Sequence, residues 1–123
     1  MEMLERFELL AYEIESEQNK CLAMQNKNIS FKEQMEVKEN KLKIDIQNET
    51  IEGKPAFSNQ EKRDSELMRR LTNNAEYLGM KEEFQKNVQG IKEQEFHVEA
   101  LIREWTTIKV KMIYLAALEK IKN

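Results

Sequence analysis

Hydrophobic residues recur along most of this chain at a spacing of three and four, which is the period of an α-helix packed on one side. From Tyr77 onward every seventh residue is Tyr77, Phe84, Ile91, Val98, Trp105 and Met112, and a companion series three further on is Met80, Asn87, Gln94, Leu101, Ile108 and Leu115. A heptad seam over about six repeats predicts one long helix packed along its length. The first part of the chain repeats the pattern with more noise. One series is Phe7, Ile14, Cys21, Asn28, Met35 and Leu42; the other is Met3, Leu10, Glu17, Met24, Phe31, Lys38 and Asp45. Asn28, Asn87 and Gln94 are polar at seam positions, where such residues fix register or oligomer state at a cost in stability.

Between the two runs lies the one well-punctuated corner, with Gly53 and the only proline, Pro55. Both end a preceding helix, glycine because it tolerates a left-handed stop and proline because it cannot continue one. Ser58 followed by Glu61 reads as a capping box, with Phe57 just ahead able to staple only onto the aliphatic stems of Lys62 or Arg63. Asn73 followed by Glu76 repeats the signal. The chain therefore divides into a helix at about 3–49, an elbow at 50–58, a short helix at about 59–72 and a long helix at about 74–122. Residues 41–47, KLKIDIQ, alternate over a few positions, so a short strand competes there with the continued helix that the longer pattern predicts.

Helices 1 and 3 would each run about 70 Å at about 1.5 Å per residue. Matched lengths predict an all-α fold: a long antiparallel, coiled-coil-like hairpin in one domain, with the short helix folded over its closed end. A seam of this width does not by itself offset the conformational entropy of ordering the chain. Apolar residues off the seam suggest what else is buried, above all the segment 100–118, which is apolar nearly all round. A homodimer forming a four-helix bundle through the open end follows, with Phe7, Leu10, Trp105, Ile108, Met112, Ile113 and Leu115 as its expected interface.

Composition narrows the chemistry. Of 123 residues 35% are charged, the formal net charge is −3 and the sequence pI is near 5.4, so there is no global pull toward nucleic acid or anionic membrane. No run approaches the roughly 18 to 20 apolar residues of a membrane span. The N-terminus lacks a basic region and a small-residue cleavage site, so the expectation is a soluble, cytoplasmic chain. Cys21, the only cysteine, lies on the seam and reads as a small core residue; His97, the only histidine, reads as structural. Carboxylates at helical spacing, Glu13 with Glu17 and Glu95 with Glu99, look like a solvated helix face. Without a second histidine or cysteine no zinc spacing exists. No phosphate loop or nucleophile motif is present, and neither enzyme, metal nor cofactor is expected.

Charge is uneven along the chain. Residues 1–52 hold 12 acidic and 7 basic side chains; residues 53–123 hold 11 and 13. Lys54, Lys62, Arg63, Arg69 and Arg70 gather at the elbow, but Glu61, Asp64 and Glu66 interleave with them and leave residues 59–71 one positive charge in surplus. Phe57, Lys62, Arg63, Arg69 and Arg70 are candidate partner-binding residues at this tip. A second candidate is the acidic face of helix 1, with Glu13, Glu15, Glu17, Glu33, Glu36 and Glu39, which could compete with phosphate for a basic channel.

The stretch GKPAFSNQEKRDSELMRRLTNNAEY, residues 53–77, resembles small uncharacterised helical proteins carried by bacteriophages and prophages. The likeness rests on a Gly-Lys-Pro turn, an aromatic-Ser-Asn cap, a short charged helix and an Asn-acidic-Tyr restart. It implies an accessory factor that acts by binding, as inhibitors of host defence nucleases and recombination helpers do, and it carries over no functional residue. The favoured expectation is a binding protein that modulates a host nucleic-acid machine through protein contacts. The alternatives are a DNA-binding recombination accessory using the elbow cations and a scaffolding coiled coil whose partner is itself.

Overall fold

The computed structural model describes residues 2–122. The elements are α1 (Glu2–Asn48), β1 (Thr50–Ile51), β2 (Lys54–Pro55), α2 (Gln60–Thr72) and α3 (Ala75–Lys122). The fold is all-α, a helical hairpin in which α1 packs against α3. Residues 41–47 are helix, because the seam continues through them: Leu42 is half-buried and Ile46 is 1% exposed. Asp45, at the expected seam position, is exposed instead. The buried stripe steps by four from Leu42 to Ile46, as it must where a 3.6-residue helix drifts against a strict seven-residue repeat.

The elbow holds structure that the spacing of Gly53 and Pro55 does not reveal. β1 and β2 pair antiparallel, Thr50 opposite Pro55 and Ile51 opposite Lys54. The two residues between them, Glu52 (φ 52°) and Gly53 (φ 79°), are both left-handed, the geometry of a two-residue turn whose twist matches the strands it joins. The pairing reaches one step further, with the Ala56 N–H donating to the Glu49 carbonyl at 2.9 Å.

Both helices after the elbow start one residue later than their cap signals predict. Asn59, not Ser58, caps α2: it is extended (φ −141°, ψ 168°) and its Oδ1 accepts from the Lys62 N–H at 2.8 Å. Phe57 is thus one residue too far from the helix to act as a staple. Asn73 ends α2 rather than starting α3, its N–H donating to the Arg69 carbonyl, and Asn74 Oδ1 accepts from the Tyr77 N–H at 2.9 Å to open α3. Two adjacent asparagines divide the labour because a helix stop and a helix start need opposite groups satisfied.

Packing divides the chain into two units, one joining the residues up to Gln25 with those from Gln89 onward, the other Asn26–Val88. In the first, Leu10 is fully buried, Val98 and Leu101 nearly so, and Phe7 stacks on Trp105 with ring centroids 5.0 Å apart and planes 17° apart. The polar seam residue Gln94 donates from Nε2 to both the Glu17 carbonyl (2.9 Å) and Glu17 Oε2 (2.5 Å), and so ties α3 to one position on α1. In the second unit Asn28 Nδ2 donates to the Phe84 carbonyl at 3.3 Å, and the Tyr77 hydroxyl donates to Glu39 at 2.7 Å. Asn28, buried, and Gln94, half-buried, each favour one register, since a slip would leave the amide nitrogen unpaired; the Asn28 Oδ1 has no protein donor. Asn87 Nδ2 meets no protein acceptor.

Several residues expected at an oligomer interface belong to the hairpin's own seam. Leu10 has no surface to offer a second chain, and Phe7 and Trp105 face each other. Ile108 and Met112 are half-buried. Ile113 and Leu115 remain open, at 61% and 51% exposure.

Candidate functional site

The elbow collects most of the polar chemistry of the second unit, and Arg70 is its centre. From the last turn of α2 its Nε donates to Glu66 at 2.8 Å and its Nη2 to Glu49, which stands just ahead of β1. Its guanidinium also lies over the Phe57 ring, 5.9 Å from the centroid. Arg69 donates to the same Glu66 through Nε (3.0 Å) and Nη2 (2.5 Å). These hydrogen bonds, those of Arg69 foremost and then those of Arg70, hold the Glu66 carboxyl far below the usual carboxylate range, at about 2. The acidic residues that dilute the basic patch in the sequence are therefore its partners in space.

Arg63, half-buried, donates from Nη1 to the Phe57 carbonyl at 3.3 Å and from Nη2 to Gln60 at 3.4 Å. Beside it Lys43, Ile46, Gln47, Gln60, Asp64 and Leu67 line a depression of about 210 Å³. Lys62 is exposed, and its structural part is played by its backbone, at the α2 cap. Of the five elbow candidates, Arg63, Arg70 and Phe57 fasten the corner to itself, Arg69 is exposed but paired with Glu66, and Lys62 faces solvent. Glu49 has no counterpart among the sequence expectations, in which Glu66 only dilutes the basic patch and Gly53 only ends a helix. The signal for the turn is an acidic residue and glycine set between Thr-Ile and Lys-Pro.

The six glutamates of the α1 face separate into two groups. Glu13 pairs with Arg6 at 3.4 Å, Glu17 accepts from Gln94 and Lys20, and Glu39 accepts from Tyr77. Gln94 is the main cause of the lowered Glu17 pKa. The Glu39 bond, with burial, pushes the Tyr77 hydroxyl up to about 12. Glu15, Glu33 and Glu36 are exposed and make no ion pair among the described residues.

In the first unit the two flanks of the seam differ in chemistry. Counting Phe7 and Tyr77 as heptad position a and Leu10 and Met80 as d, one flank carries the g positions Arg6, Glu13 and Glu104. Arg6 bridges the helices there, with Nε and Nη2 on the two oxygens of Glu104 at 3.0 and 2.7 Å. The Glu104 carboxyl is correspondingly held below its ordinary pKa. The other flank carries the e positions Leu4, Ala11, Gln18, Gln25, Glu95, Ile102, Lys109 and Ala116, and its b positions mix Leu22 and Ile113 with Glu8, Glu15, Lys92, Glu99, Thr106 and Lys120; no ion pair crosses it among the described residues. On this side Gln18, Cys21, Leu22, Gln25, Glu95, Val98 and Glu99 line a groove of about 400 Å³.

Cys21 is buried, and His97 is exposed. Among the described residues no group of three or more His, Cys, Asp or Glu is placed to hold a metal ion, and no helix is long and apolar enough to cross a membrane. Compared with known proteins, the chain matches no family model, no curated protein and no solved structure.

Proposed function

We propose that this chain is a non-enzymatic binding protein that pairs with itself into a homodimer. With its remaining charged surfaces it holds and modulates a partner protein, and the resemblance of residues 53–77 to phage and prophage accessory proteins makes that partner a host nucleic-acid machine such as a defence nuclease. The observation that carries this reading is the balance between inside and outside. Seven hydrophobic residues are buried among the described residues, against eighteen large ones that are exposed. Single exposed hydrophobics are ordinary, but so many against so small a core, spread over several faces of α1 and α3, is more apolar surface than a lone hairpin covers. The polar groups of the elbow satisfy one another as donors and acceptors, which suits a clasp better than a reacting centre.

The surface offered to a host protein is Glu33 and Glu36, with Lys62 at the elbow. Direct DNA binding by the elbow cations is the weaker alternative, because Glu49 and Glu66 already neutralise Arg69 and Arg70. The test is affinity capture from nuclease-treated host lysate with the wild-type protein and a Glu33→Lys, Glu36→Lys variant. A host protein held by the wild type and lost by the variant supports the reading. Equal capture by both argues against the acidic face, and recovery of bait alone points to self-assembly.

A further inference from the structure

From the unequal flanks of the first unit we infer that the homodimer forms through the e and b positions alone, as a two-fold symmetric pairing centred on Ile102. This assignment rests on the dimer reading above and specifies its surface. The g flank is already occupied by the Arg6–Glu104 bridge, whose charges would have to be desolvated to admit another helix. The e and b flank has no ion pair across it among the described residues, and its charged side chains, Glu95 and Lys109 at e and Glu8, Glu15, Lys92, Glu99 and Lys120 at b, are exposed and can stay at the rim. It presents Leu4 (38% exposed), Leu22 (54%), Ile102 (39%) and Ile113 (61%), and Ala11 and Ala116 keep it shallow enough for a helix to approach.

The second unit shows what this register position accepts. There α2 supplies a third helix, with Leu67 and Leu71 beside Glu39, Lys43, Tyr77 and Leu78, and Leu71 and Tyr77 are each only 9% exposed. In the first unit the corresponding e and b positions have no third helix from their own chain. Size agrees with a second copy. At these exposures the four large side chains present on the order of 400 Å² of surface, about half of the ~800 Å² each partner buries in a standard interface.

Charge identifies the partner as this same surface. Along α3 the e positions read Glu95, Ile102, Lys109, so a negative and a positive charge stand seven residues to either side of Ile102. A two-fold axis at Ile102 lays each Glu95 against the Lys109 of the other copy, twice per dimer, and lays isoleucine on isoleucine at the centre. A surface that is its own complement under a two-fold axis is what an isologous dimer requires. Glu95 and Lys109 are exposed, and neither has an ion-pair partner within its own chain among the described residues; Lys109 Nζ rests over the Trp105 ring, 5.2 Å from its centroid.

The experiment is sedimentation velocity of the full chain across a concentration series, with circular dichroism to confirm helicity. The variants are Ile102→Glu, Glu95→Lys, Lys109→Glu and the double charge exchange. The expected result is a wild-type dimer and a monomeric Ile102→Glu. Each single reversal should weaken association by about tenfold, and the double exchange should restore it. A wild type that is monomeric throughout overturns both this assignment and the dimer reading. A dimer that Ile102→Glu leaves intact, or that the double exchange fails to restore, overturns the Ile102-centred pairing while the dimer reading stands.

Discussion

Replacing Tyr77 with phenylalanine isolates one bond that joins α1 to α3. The substitution keeps the ring, which is buried (9% exposed), and deletes only the hydroxyl that donates to Glu39 at 2.7 Å. A hydrogen bond to a charged acceptor contributes about 1.5–3 kcal/mol, and Glu39 is half-exposed and recovers part of this from water, so the expected loss is about 1–2 kcal/mol. At about 4 °C per kcal/mol for a chain of this size, Tm should fall by about 4–8 °C. Urea unfolding followed by circular dichroism, with Glu39→Ala and the double variant completing the cycle, should return a coupling near 1 kcal/mol. The bond also sets a pH dependence. Folding raises the Tyr77 pKa from 10.0 to about 12, so the folded chain holds that proton more tightly than the unfolded one. The contribution is fully present below pH 10 and is lost as the pH rises toward 12, so the gap between wild type and Tyr77→Phe should narrow across that window. Tyr12 and Tyr114 are common to both proteins and cancel. A variant as stable as wild type at neutral pH, or a gap that stays constant from pH 10 to 12, would refute the reasoning.

Three further outcomes follow from the elbow and its caps. Asn59→Ala should cost about 1 kcal/mol in thermal or urea unfolding and Ser58→Ala close to nothing; the reverse order would return the cap to Ser58. At the turn, Glu52→Asn should stabilise by roughly 1 kcal/mol, because asparagine tolerates the left-handed conformation better than glutamate. Gly53→Ala should destabilise by a similar amount, although space around the new methyl is open. Glu66 has its pKa lowered from 4.5 to about 2, so its stabilisation is present above pH 4.5 and lost as pH falls toward 2. Acid titration of wild type against Glu66→Gln should therefore converge over that range, and curves that stay parallel would show that the Arg69 and Arg70 pairing contributes nothing.

Much of this protein is legible in its order of residues because helices are local. The three- and four-residue spacing of Tyr77 to Met112 and of Phe7 to Leu42 sets two long helices and the face that each buries, and Gly53 with Pro55 marks where the chain must turn. Even the seam's polar residues, Asn28 and Gln94, announce their part in register, since an amide in an apolar row needs a partner. Tertiary structure alone decided which of two adjacent residues caps each helix, because Ser58 and Asn59 are both competent in sequence and only the folded backbone, extended at Asn59 itself, makes it the cap. It also decided the fate of the charges. Glu49 and Arg70 are twenty-one residues apart and Arg6 and Glu104 ninety-eight, so neither pair has a spacing to reveal it. Charge acts through distance in space, and that distance exists only once α2 has folded back and the hairpin has closed.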